Sequence, residues 1–136
     1  MPDRKELYIL DKGGQMLFHY STKVVISEDE DNSKFLTASY ISGILKFAEA
    51  ASGNIISNFE MGKLTIWLKK GENLPLYYIF IVGKEKSIKE KKINKYINQI
   101  VKEFEELYTL EEINSWDGST DYFNFTENVK KILKIH

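Results

Sequence analysis

The hydrophobic residues of this chain change period along its length, and the order of those changes constrains the fold more than any motif does. A short apolar run, a Gly-Gly pair and a second run come first. A stretch with helical spacing follows, then three runs with strand character, then two more helical stretches. Apolar residues at i, i+3, i+4 line one face of a helix, and alternation lines one face of a strand. Read in this order, the chain is an α+β scaffold in which helices cover an antiparallel sheet.

The opening run is Glu6-Leu7-Tyr8-Ile9-Leu10-Asp11, and Met16-Leu17-Phe18-His19-Tyr20 answers it after Lys12-Gly13-Gly14-Gln15. Two glycines can take positive φ, so the spacing predicts a β-hairpin, its second strand continuing toward Lys23–Ile26. Glu28-Asp29-Glu30-Asp31-Asn32 is an acidic loop; the glycine and glutamate spacing of a calcium loop is missing. Ser33 is an N-cap, and Leu36, Tyr40, Ile41, Ile44, Phe47, Ala48 and Ala51 share one face of a helix that stops at Gly53. Gly43, inside that helix, marks close approach to the sheet or to another helix.

Three strands follow. Asn54–Met61 is polar enough for a sheet edge. Lys63–Lys70 alternates, and Leu74–Val82 is almost wholly apolar, as a central strand covered on both faces must be. Ser87-Ile88-Lys89-Glu90 is a capping box opening a helix with Ile93, Tyr96, Ile97, Ile100, Val101, Phe104, Leu107 and Tyr108 on its buried face. Lys84, Lys86, Lys89, Lys91, Lys92 and Lys95 cluster at its start; Glu85 and Glu90 interrupt them, which fits a solvated face better than a membrane patch. Thr109–Thr120 reads as a loop or broken turn pinned by Trp116, and Asp121–Ile135 as a closing helix with Phe123, Phe125, Val129, Ile132 and Leu133 inward.

At 136 residues the chain has the length of one domain over 1–136 and enough residues for a real core. It has no cysteine, which removes disulfides, thiolate metal sites and cysteine nucleophiles. Net charge is −1 and Arg4 is the only arginine, so nucleic-acid binding is disfavoured. The N-terminus has no apolar signal region and no run is long enough to span a bilayer, so the expected location is cytoplasmic. His19 and His136 stand apart from any ligand or base motif. No phosphate loop, dinucleotide fingerprint or Gly-x-Ser-x-Gly elbow is present. Glu105-Glu106 and Glu111-Glu112 fall where a helix needs a wet face. The expectation is no enzyme, no cofactor and no metal.

Leu7–Phe18, with its "D-x-x-G" turn, resembles the opening of longin domains. Ser42-Gly43-Ile44-Leu45-Lys46-Phe47-Ala48 is similar to that family's first-helix core, and Phe104–Tyr108 with Trp116–Phe125 to its C-terminal end. The resemblance spans about the whole chain in element order and is weak in motif. The acidic loop at Glu28 and the lack of a following SNARE helix are departures, pointing to a free-standing longin. It implies a longin/profilin-like α+β fold, order ββαβββαα. In that fold a five-stranded antiparallel sheet has one helix on one face and two on the other. It also implies a binding module for trafficking, pairing with itself or with another longin/roadblock-type protein, with a small GTPase as a further partner and peripheral membrane contact left open. The surface it implies is the first helix with the adjacent edge strand: Ile41, Leu45, Ile55, Ser57 and Phe59. Each also reads as a core position, and Ile41 and Phe59 fit that better. A profilin- or PAS-like sensor is the alternative, its ligand lined by Trp67, Tyr77 and Tyr78.

Overall fold

The structure is a computed structural model that describes residues 5–12, 15–21, 57–61, 64–83, 90–119 and 122–135. Its strands are β1 (Lys5–Asp11), β2 (Met16–Ser21), β3 (Ser57–Met61), β4 (Leu64–Lys70) and β5 (Leu76–Gly83). Its helices are α1 (Glu90–Leu107), α2 (Leu110–Ser115) and α3 (Thr126–Ile135). The fold is α+β, with an antiparallel sheet. The expected helix over 33–52, the acidic loop, the extension of β2 to Lys23–Ile26 and the Ser87–Lys89 part of the capping box all lie outside the described residues.

The strand order is β2-β1-β5-β4-β3. β5 sits between β1 and β4, and Leu76 to Val82 are all buried. Their continuous apolar character follows from that position: alternate residues face opposite sides of the sheet and both sides are covered. Leu76, Tyr78, Phe80 and Val82 join Leu7, Ile9 and Trp67 in one core with α1 and α3. Tyr77, Ile79 and Ile81 join Tyr8, Leu10, Ile66 and Leu68 in a second buried cluster on the opposite face.

The hairpin carries a bulge. Ile9 opposes Phe18 whereas Leu10 opposes Met16, so Leu17 is the extra residue. A bulge lets two neighbours turn the same way, and Leu17 and Phe18 both enter the helix-covered core. Asp11 closes the turn: its N–H donates to the Gln15 carbonyl (2.9 Å) and its Oδ1 accepts from the Gln15 N–H (2.8 Å).

Three expectations for the C-terminal half change. Leu107, expected on the inner face of α1, is 51% exposed, because the helix ends there and no longer runs over the sheet. The expected loop at Thr109–Thr120 contains α2. Thr109 Oγ1 accepts from the Glu112 N–H (3.1 Å), and the Glu112 carboxylate accepts from the Thr109 N–H (3.0 Å), a reciprocal capping box. The closing helix starts at Thr126 and not at Asp121. Phe123 and Phe125 precede it, and their i, i+2 spacing suits an extended segment that sends both rings into one core. Phe125 meets Phe104 (5.3 Å) and Phe18 (5.9 Å) edge-on. Trp116, half-buried, packs on Phe123 (5.3 Å) and donates its indole N–H to the Ser119 carbonyl (3.0 Å).

The capping box makes a direct prediction. Thr109→Ala should cost about 1 kcal/mol in a urea titration. The Glu112 carboxyl is held below its ordinary value, first by the Thr109 N–H and next by the Tyr122 hydroxyl. Its contribution is therefore complete above the ordinary carboxylate range and is lost as pH falls through the lowered value.

Candidate functional site

β3 ends the sheet: its inner side pairs with β4, and no further strand flanks it among the described residues. Ser57 stands opposite Leu68 and Phe59 opposite Ile66 in that register. These two of the expected partner-binding residues therefore lie on the edge strand. Ile41, Leu45 and Ile55 lie outside the described residues. An edge strand offers a row of backbone donors and acceptors that another strand can complete.

β2 is the opposite edge. Beside it runs an open groove of about 700 Å³, between Met16, Phe18 and His19 on the strand and Phe123, Asn124 and Thr126 ahead of α3. His19 is stacked on Tyr8, centroids 4.4 Å apart and rings 17° from parallel.

A polar cluster joins the end of α1 to the β4–β5 loop. Glu105 accepts from the backbone N–H groups of Glu72 (3.1 Å) and Asn73 (2.6 Å) and from the Tyr78 hydroxyl (3.0 Å). Lys69, 4% exposed, places its ammonium 3.4 Å from Glu72. Burial, and then the Glu105 charge, push the Tyr78 hydroxyl far above the tyrosine range, so it remains a donor at any physiological pH. Bonded in this way, the cluster fastens the β4–β5 loop to α1. Glu105 is expected on a wet face from sequence; its partners are more than 25 residues away, beyond the reach of a local pattern.

No protein-family model and no curated protein matches the chain.

The residues expected to line a ligand pocket do not converge. Trp67 and Tyr78 belong to the helix-covered core and Tyr77 to the opposite cluster, because neighbours in a strand point to opposite faces. Among the described residues no group of three or more His, Asp or Glu side chains could hold a metal ion. No helix among them is long and apolar enough to cross a membrane. The described surface includes two sheet edges, open grooves beside β2 and at the β4–β5 loop, and the outer faces of the helices.

Proposed function

We propose that this chain is a non-catalytic interaction module of the longin type. In this reading it pairs through the β3 edge with a second copy or with another longin/roadblock-type protein, and binds a small GTPase or trafficking-type partner. The observation that carries the proposal is the strand order β2-β1-β5-β4-β3, with the opening hairpin at one edge and β3 at the other. That order suits a five-stranded longin sheet. The buried cluster of Tyr8, Ile66, Leu68 and Ile79 on the face away from α1 also suits it. The reading assigns the cover of that face to the amphipathic segment 33–52, which lies outside the described residues. Pairing would then use the main-chain groups of β3 for affinity and the neighbouring side chains for specificity.

The test is molar mass by light scattering across a concentration series. The expected result is a dimer that Leu45→Asp dissociates without loss of circular dichroism; Ile41→Asp, on the apolar face of the same segment, should weaken the fold as well. A monomer at every concentration would remove self-pairing. Mixing with candidate small GTPases in both nucleotide states then tests the second half, and no complex in either state would remove it.

A further inference from the structure

Asp117-Gly118 is the one Asp-Gly or Asn-Gly pair in the chain. It stands between α2 and α3, in the run Trp116-Asp117-Gly118-Ser119. The carboxyl of an aspartate and the amide nitrogen of the next residue can close a five-membered ring. Two things ordinarily hinder the closure: the side chain of the next residue, and a hydrogen bond that holds its N–H. Gly118 has no side chain to shield its nitrogen, and its φ of 90° is one that other residues rarely take. Its N–H makes no hydrogen bond among the described residues. Asp117 is exposed, so its carboxyl is not packed away from the backbone. Its Oδ1 accepts from the Ser119 N–H (2.9 Å), which folds the carboxyl back over the Gly118 peptide. Asp11 makes a useful contrast. Its carboxylate also folds back, onto the Gln15 N–H (2.8 Å), but the residue after it is Lys12, whose side chain shields the nitrogen.

We propose that Asp117 is a site of spontaneous covalent modification, converting through a cyclic imide with Gly118 to isoaspartate. The Gly118 nitrogen attacks Asp117 Cγ. A C–N bond forms, the nitrogen gives up its proton, the carboxyl gives up its hydroxyl, and the two leave as water. Water then opens the imide. Opening at Cγ restores aspartate. Opening at the Asp117 main-chain carbonyl leaves the chain running through the former side chain, with one more carbon in the backbone and a carboxylate in place of the peptide carbonyl. One water leaves and one returns, so no oxidant, reductant or cofactor enters.

The surrounding contacts are close enough to register the added atom. A Cβ on Gly118 would lie 2.7 Å from the Gln15 side-chain nitrogen, so Gly118 already packs against the β1–β2 turn. Trp116 rests on Phe123 (5.3 Å) and donates its indole N–H to the Ser119 carbonyl (3.0 Å), just past the new linkage. Lengthening the backbone between Asp117 and Gly118 moves Ser119 away from both Asp117 and Trp116. The product is a chain whose α2–α3 connection is loosened, and local opening there becomes easier. The inference does not rest on pairing through β3, which uses other residues.

The test stores the full chain for weeks at neutral pH and physiological temperature and follows it by peptide mapping. A purified isoaspartyl methyltransferase, with labelled S-adenosylmethionine as methyl donor, esterifies the new carboxylate and reports it independently. The expected result is a peptide of unchanged mass that separates from the parent, carries its β-linkage at residue 117 and takes up label in proportion to storage time. Asp117→Glu, which would need a six-membered ring, should lose the label from this peptide, and Asp117→Asn should gain it sooner. The stored, labelled fraction should unfold at a lower urea midpoint than fresh chain. Absence of isoaspartate at 117 after an interval in which guanidinium-unfolded chain has converted there would overturn the proposal. So would equal labelling of this peptide in Asp117→Glu. A converted chain with the urea midpoint of fresh chain would overturn the loosening of the Trp116 contact.

Discussion

Phe104→Ala is expected to destabilise the protein by about 4 kcal/mol, the range for emptying a fully buried aromatic site. Phe104 is wholly buried on α1, and four other rings surround it: Tyr108 at 4.8 Å, Phe125 at 5.3 Å, Phe123 at 5.9 Å and Tyr78 at 6.1 Å. Those rings come from β5, from the end of α1 and from the extended segment before α3. They sit on three different segments of the chain and cannot close the cavity together. Equilibrium urea unfolding measures the loss. A cost under about 1 kcal/mol would mean that the site collapses freely and that this ring cluster is not the joint between the C-terminal segments and the sheet. Phe104→Leu should recover about half of the loss, since it restores apolar volume without edge-to-face geometry.

The same cluster shows which parts of the fold were legible from sequence. The hairpin was readable because Gly13-Gly14 separates two apolar runs, and the central strand because Leu76 to Val82 is apolar without interruption. The ends of elements were less readable. α2 is six residues long, under two turns, too short for a hydrophobic period to register. Its one readable signal was the Thr109-x-x-Glu112 box. The closing helix, expected from Asp121, starts at Thr126 because Phe123 and Phe125 stand two apart, and residues two apart face nearly opposite sides of a helix. In the candidate site, Ser57 and Phe59 were readable as edge positions from the polar character of their run.

Glu105 carries the second large effect, and a double-mutant cycle isolates it. Glu105→Ala removes the acceptor shared by two loop N–H groups and the Tyr78 hydroxyl. Glu72 and Asn73 are exposed, so water can take over their N–H groups. Tyr78 is 1% exposed, and its hydroxyl is left buried without that acceptor. The expected cost is about 2 to 3 kcal/mol, most of it from the orphaned donor and the charge-assisted bond. Tyr78→Phe alone should cost about 1 to 1.5 kcal/mol. In the Glu105→Ala background it should cost nearly nothing or stabilise, because it deletes the group left unpaired. A coupling of about 1 to 2 kcal/mol is therefore expected between the two sites; strictly additive effects would show that the 3.0 Å bond contributes nothing. Gly71 supplies an independent check on the same loop. A Cβ there would lie 2.2 Å from the Leu74 carbonyl oxygen, a backbone atom that no side-chain rotation can move, and 3.0 Å from Glu105. Gly71→Ala must shift the loop and pull Glu72 and Asn73 away from the carboxylate, so its cost should shrink when Glu105 is already absent. If the Glu105 latch holds the loop against α1, hydrogen exchange at the Glu72 and Asn73 amides should accelerate in Glu105→Ala, while exchange at the centre of β5 changes only with global stability.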